Sequence, residues 1–480
     1  MSKNSSKNTE VNRKKDFPIF TVTVIVVAVL VVALVAYNIL KNNGTFIKNK
    51  TILKYEDTQI TGMDFYFPYA NLLNSYASVL PYMGISSYED MLKPTTFDEN
   101  MTWQEYFASL AYTDLVTMVE LCAEAQKDGV ELEEEDLEEI QSTIDDMKKA
   151  AEDSDISFKT YLANSYRQGF TEENLEKMLR IYTLGNKQQE TKRESFTYTD
   201  EQIEEYYQEH RTDFDRYTYR LLEFKVSDDS DAADTKKAAE DFLAKVTDEE
   251  TFIQAAKEIQ DTEEDETLIS DDAYTNIDAT IREWVGDEER KEGDTTLLTD
   301  DDDNCYVVYF ISALAPDYDA VSIRLIKYDA GYEDDATDEE KEEAVEKARA
   351  DLKDMIDEWA DDGADEDEFA TMALMNSSDS SMSNGGLSEN FSNTYYDAYS
   401  EEISDWVFNT ERKEGDYTVI DTDDGAVALY FVSNNGPYLT VSVDNTMKDE
   451  DLTDYVESLT DTYADVIETY EDEAIKVITG

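Results

Sequence analysis

One imidazole, His210, and two thiols, Cys122 and Cys305, are all that this 480-residue chain offers for nucleophilic or proton-shuttling chemistry. His210 stands between Glu209 and Arg211, with Glu205 close by, in a segment whose periodicity predicts a solvated helix face. A Ser–His–Asp or Cys–His arrangement needs a base aimed at a nucleophile, and this setting supplies none. Structural zinc needs clustered Cys and His, which the sequence lacks. Carboxylates are so abundant, 113 Asp+Glu against 41 Lys+Arg, that no pair of them stands out as an acid–base couple. The run Asp300, Asp301, Asp302, Asp303, Asn304 has no EF-hand spacing and reads as a solvated hairpin loop. A net charge of −72 repels phosphate backbones and argues against nucleic-acid partners. No catalytic residue, metal or cofactor is assigned. The residues suited to binding are aromatic: Phe65, Tyr66, Tyr69, Tyr76 and Tyr82, with Met83, bracketed by Pro68 and Pro81. Such side chains give large, adaptable contact area to varied unfolded peptides.

The elements that must carry these residues begin with Ile19–Leu40, which holds no charge and is long enough to cross a bilayer. Arg13, Lys14 and Lys15 precede it, so residues 1–18 are expected as a cytoplasmic tail, 19–40 as an uncleaved single-pass anchor, and the bulk of the chain outside the cell. Residues 1–50 carry +6 and residues 51–480 carry −78, a split that suits an anionic inner leaflet on one side only. The two thiols are far apart in sequence and read as buried free cysteines, though a bridge stays open.

Residues 51–216 read as a mostly helical domain. A strand is predicted over Thr51–Tyr55, followed by an amphipathic helix through Phe65, Tyr69, Leu72 and Tyr76. Thr102-Trp103-Gln104-Glu105 is a capping box, followed by Phe107, Leu110, Leu115 and Val119 at helical spacing and by Gly129 as a C-cap. Thr199-x-x-Gln202 caps a further helix.

A repeat follows. Trp284 opens a stretch ending Glu289-Arg290-Lys291-Glu292-Gly293-Asp294, and Trp406 opens one ending Glu411-Arg412-Lys413-Glu414-Gly415-Asp416, an offset of 122 residues. Each leads to a strand ending Tyr309-Phe310 or Tyr430-Phe431 and then to Pro316 or Pro437. Upstream, Tyr219-Arg220-Leu221-Leu222 and Ile323-Arg324-Leu325-Ile326 match as opening strands. These are two α+β modules, residues 217–317 and 318–437. Residues 438–480 are expected to form a strand over Leu439–Val443, a helix, and a short closing strand over Ala474–Ile478.

The arrangement resembles the PrsA/SurA-type extracytoplasmic foldases. The junction Tyr198–Tyr207 with Tyr219–Leu222 is similar to the family's passage from chaperone domain to first parvulin module. Asn376–Asp379 with Ser383-Asn384-Gly385-Gly386-Leu387 resembles the parvulin polar run and Gly-Gly turn, and Trp406–Asp416 the stretch before the closing strand. The resemblance implies a fold of transmembrane helix, helical chaperone domain, two parvulin-like α+β modules and a C-terminal helix returning to the chaperone domain. It also implies unfolded or newly secreted polypeptides as partners. The departures weigh against turnover. The family's active modules carry His in the opening and closing strands; here Arg220 and Arg324 take the first position, and Tyr306–Ile311 and Ala426–Val432 contain none. Copy one has Leu268–Asp271 in place of the Gly-Gly turn, so copy two is the better parvulin candidate. Arginine keeps its proton at neutral pH and cannot replace a titrating imidazole. Arg220, Arg324, Gly385, Gly386, Trp406 and Tyr430 are therefore expected to mark a vestigial pocket. The expected function is a membrane-anchored chaperone without isomerase turnover, against two alternatives: an active parvulin-type peptidyl-prolyl isomerase and a structural surface protein. The sequence leaves the oligomeric state open.

Overall fold

The computed structural model describes residues 50–227, 231–332, 336–391 and 401–479. The expected tail and the 19–40 anchor lie outside the described residues, among which no helix is long and apolar enough to cross a membrane. The strands in chain order are β1 (Thr51–Tyr55) and β2 (Thr58–Thr61), then β3 (Arg216–Phe224), β4 (Leu268–Ala273), β5 (Thr295–Thr299) and β6 (Cys305–Leu314). They continue with β7 (Asp319–Asp329), β8 (Leu387–Phe391), β9 (Tyr417–Thr422), β10 (Gly425–Pro437) and β11 (Glu468–Thr469). They form three antiparallel sheets, ordered β11-β1-β2, β4-β3-β6-β5 and β8-β7-β10-β9. The chain divides into two compact units, one up to Phe196 together with Asp449 onward, the other Thr197–Lys448.

The first unit is helical around a small sheet. Its central helix, Trp103–Asp128, starts where the sequence signals it: Thr102 accepts from the Glu105 amide, and the Glu105 carboxylate accepts from the Thr102 amide at 2.8 Å. Phe107, Ala111, Leu115 and Val119, four residues apart, are buried along one stripe. Gly129 ends the helix in the left-handed region, φ +77°, where a side chain would strain the backbone. The chain's last residues complete this unit. The Tyr66 hydroxyl donates to Val477 O at 2.7 Å, Gln104 Nε2 donates to Ile478 O at 3.2 Å, and β11 pairs with β1 through Leu53 and Thr469.

Two elements differ from expectation. Leu439–Val443 is no strand but the opening of a helix, Tyr438–Tyr463. Its alternating β-branched residues mimic a strand, yet Leu439, Val443 and Met447 recur every four residues and pack against Tyr207 and Phe214. Ala474–Ile478 likewise lies in a helix, Glu471–Thr479, which buries Ala474, Val477 and Ile478 at three- and four-residue spacing. Glu471, Asp472 and Glu473 fill its first turn, where carboxylates suit the positive end of the helix dipole.

In the second unit the two repeat copies have the same strand order. Each sheet is covered on both faces. In copy one, Leu222 and Val307 pack with Phe242 and Phe252, while Tyr219 and Phe310 pack with Ile281 and Val285. In copy two, Ile326 and Ala428 pack with Leu352 and Trp359, while Ile323 and Leu325 pack with Ile403 and Val407. The repeated Trp…Glu-Arg-Lys-Glu-Gly-Asp stretch is a staple on the second of these faces. Arg290 stacks over Trp284 at 4.0 Å and donates through Nε to its carbonyl, as Arg412 does over Trp406 at 4.3 Å. Asp294 and Asp416 accept from the Lys291 and Lys413 amides, and Gly293 and Gly415, φ +89° and +87°, hand the chain back to the sheet.

Candidate functional site

Arg220 and Arg324 hold equivalent places in the two sheets: Arg220 lies opposite Tyr309 in the β3–β6 ladder, Arg324 opposite Tyr430 in β7–β10. Each reaches the first residue of a helix. Arg220 Nε donates to Glu249 at 2.9 Å, and Arg324 Nε donates to Glu366 at 2.9 Å. Those helices, Glu249–Gln260 and Glu366–Asn376, are capped by Asp248 and Asp365, so acids gather where the helix dipole favours them.

The remaining guanidinium donors are satisfied differently. In copy one, Arg220 Nη1 donates to Asp265 at 2.6 Å and to the Thr267 hydroxyl at 3.1 Å, and Arg220 is 5% exposed. In copy two, Arg324 Nη1 donates to the carbonyls of Gly385 at 3.0 Å and Asn384 at 3.3 Å. Gly385 and Gly386 lie in the left-handed region, φ +60° and +72°, and a Cβ on Gly386 would stand 2.3 Å from Leu325 O. Thr267 is the counterpart of Gly386, since Leu221 N donates to Thr267 O and Leu325 N to Gly386 O, both at 2.9 Å.

A guanidinium does not titrate. Burial, with Glu249 or Glu366 nearby, raises the Tyr309 and Tyr430 hydroxyls above their ordinary value, so both stay protonated. For Asp265, burial pulls upward, but the Thr267 and Arg220 hydrogen bonds prevail and hold the carboxyl below its usual range. What the arrangement does is tie a helix start and a strand entry to the sheet.

Of the residues expected to mark one vestigial pocket, Arg324, Gly385, Gly386 and Tyr430 come together and Arg220 has its own centre. Trp406 does not join them: alternation along β7 puts Arg324 on the opposite face of the sheet from Leu325, the side against which Trp406 packs. At each arginine the guanidinium is taken up by ion pairs and hydrogen bonds of the fold itself. Sequence reasoning missed Glu249, Asp265 and Thr267, and in copy two Glu366. The capping residues Asp248 and Asp365 just before the two glutamates were the available signal.

His210 caps the helix Asp200–Glu209, stacked on Tyr206 at 4.0 Å, with Nδ1 2.9 Å from Tyr206 O. It is partly buried by this contact rather than fully solvated. Both thiols are free, Cys305 buried and Cys122 partly so. Asp300 closes its own loop, accepting from the Asp302 and Asn304 amides at 2.9 Å.

The aromatic candidates of the helical unit divide. Phe65, Tyr66 and Tyr69 are core residues, 0%, 7% and 9% exposed, so they are corrected from client-binding to structural. Phe65 sits edge-on to Tyr112, and Tyr66 is engaged by Arg167 and Val477. Tyr76 and Met83 are half-buried against the same core, and Tyr82 alone is open, at 91%. The exposed apolar residues lie further along: Val79, Tyr82, Tyr88, Leu92 and Phe97 fall within one irregular stretch between the first helix and Thr102. Periodicity could not find them, because the stretch holds only a short 3₁₀ turn and one helical turn.

Residues 198–322 match the family described as the PPIC-type PPIASE domain. The matched stretch comprises the first α+β copy with the helix before it, whereas the Gly-Gly turn that made copy two the better candidate lies outside the matched residues. No curated protein matches the chain. Among solved structures, the chain is similar to the foldase protein PrsA from Lactococcus lactis, at 12% identity and a TM-score of 0.22, over 55% of this chain and 78% of that one. It is also similar to PrsA from Streptococcus pneumoniae, at 19% and 0.17 over 44% and 73%, and to PrsA from Bacillus subtilis, at 15% and 0.18 over 65% and 87%. Within residues 198–322 the place taken by Arg220 holds an ion-pair network, and the imidazole of His210 lies in the helix-capping contact described above.

Proposed function

We propose that the protein is a membrane-anchored, extracytoplasmic chaperone that binds unfolded secreted polypeptides without isomerase turnover. The observation that carries this reading is the stretch Val79–Phe97, which presents two tyrosines, a phenylalanine and two aliphatic side chains to water on an otherwise well-packed unit. Exposed apolar surface of this kind marks an interaction site. Reversible burial of a client's apolar segments there lowers the concentration of aggregation-prone chains. The arginine centres support the second half of the reading. Rotation about a prolyl bond faces a barrier of about 20 kcal/mol, and the PPIC-type domain offers there a closed ion pair rather than a dry, polarised pocket.

Two assays test it together. Light scattering of a denatured, aggregating client should fall in proportion to added protein, and substitution of Tyr82, Tyr88 and Phe97 by Ser should remove most of that effect. A refolding reaction limited by proline isomerisation should keep its slow-phase rate. An accelerated slow phase would establish an active isomerase instead.

A further inference from the structure

A second apolar surface lies on the same helical unit. A groove of about 470 Å³ runs between the C-terminal part of the Trp103–Asp128 helix and the middle of the Glu172–Ser195 helix. That volume lies in the range of ligand clefts, roughly 300–1,000 Å³. Its walls are Tyr55, Val119, Cys122, Val130, Leu132, Ile181 and Leu184. The Cys122 thiol donates to Ile181 O at 3.3 Å, and burial pushes it up to about 12, so it stays a neutral, apolar part of the wall.

The rim has the opposite character. Glu131 lines the groove, and Glu56 and Asp57 are exposed beside Tyr55 and Thr58. Arg180, the cation in the lining, is held by Glu176 one turn earlier at 2.8 Å. The rim carboxylates Glu56, Asp57 and Glu131 form no ion pair among the described residues, within an outer region of net charge −78. An apolar floor under unneutralised acids attracts one kind of occupant: an apolar side chain flanked by lysine or arginine.

We infer that this groove takes apolar side chains of extended client segments whose neighbours are basic, which gives the chaperone a preference for cationic over anionic unfolded chains. The inference rests on the chaperone reading above and deepens it. The apolar floor supplies binding through area removed from water, and the acids supply selection and a faster encounter that weakens with salt.

The test is fluorescence anisotropy of three short dye-labelled peptides on the full-length chain: a Leu/Val core flanked by lysines, the same core flanked by glutamates, and a Ser core flanked by lysines. The first should bind at least about tenfold more tightly than either of the others. Gln126→Trp, an exposed position on the rim, should block the groove and remove about tenfold of that affinity, and Leu184→Asp should do the same from the floor. Glu56→Gln with Glu131→Gln should bring the lysine and glutamate peptides together. Equal binding of the lysine and glutamate peptides, or unchanged binding by Gln126→Trp, overturns the inference. Light scattering on the same samples separates it from the reading beneath it. Aggregation suppressed equally by the parent chain and Gln126→Trp removes the groove and leaves the chaperone standing. Absence of suppression by the parent chain removes the chaperone.

Discussion

The first α+β copy closes the network around its buried arginine with side chains; the second closes it with backbone. Arg220 takes Glu249, Asp265 and Thr267, whereas Arg324 takes Glu366 and two carbonyls from the turn at Asn384 and Gly385. A carbonyl turned inward demands the left-handed backbone that glycine allows, so copy two needs its Gly-Gly where copy one does well with threonine. The glutamate on Nε is common to both copies, and it is Nη1 that is paired by unrelated groups. The loss of a recognisable turn in copy one is a change of partner, not of architecture.

The sharpest way to break this comparison is Gly386→Ala. With φ +72° and Leu325 O at 2.3 Å from the new Cβ, copy two should lose about 3 kcal/mol, read by chemical denaturation with amide hydrogen exchange across β7 and β10. Thr267→Ala at the matching place should cost about 1 kcal/mol, the loss of hydroxyl bonds to Arg220 and Asp265. Equal losses would show that the two turns do not differ in what they demand of the backbone.

Next in size are the arginines. Arg220→Met leaves two carboxylates without their cation and should destabilise copy one by about 2 kcal/mol. Arg324→Met removes one ion pair, with a side chain 15% exposed, and should cost about 1 kcal/mol. The staples should differ little: Arg290→Ala and Arg412→Ala each remove a stacked guanidinium and should cost about 1 kcal/mol, Arg290 slightly more because it also pairs with Asp287. A loss confined to one copy would mean that the repeated stretch serves something other than packing.

The smallest effect is on acidification. Asp265 is held below its ordinary value, so its contribution is present above the unfolded value of about 3.9 and disappears as pH falls through the lower folded one. Exchange protection in β3 and β4 should therefore decline below about pH 4 in the parent, and this Asp265 component should shrink in Arg220→Met, leaving the part that the Thr267 hydrogen bonds sustain. Where Arg220 Nη1 meets the Asp265 carboxylate, Arg324 Nη1 meets two carbonyls, which do not titrate.

Local signals were readable in the sequence because each is settled within a few residues. The boxes at Thr102 and Thr199 both cap helices, and β1 spans Thr51–Tyr55 as expected. The repeat was legible because Trp, Arg, Gly and Asp each have a separate task in the staple. What failed was decided by partners far along the chain. Leu439–Val443 satisfies a period of two and a period of four at once, and the contact of Val443 with Tyr207 and Phe214 selects the helix. Phe65, Tyr66 and Tyr69 look like an exposed aromatic patch until Tyr112, Arg167 and Val477 cover them. Asp265 is one carboxylate among 113, and nothing local marks it as the partner of Arg220.

β11 and the Glu471–Thr479 helix are edge and lid of a sheet and core that begin near residue 51, so the first unit is complete only once residues 468–479 have been made. Until then the landing stripe on the Trp103–Asp128 helix, where Ala474 and Val477 will settle, stays bare. Without residues 470–479 that side of the first unit's core would stay uncovered.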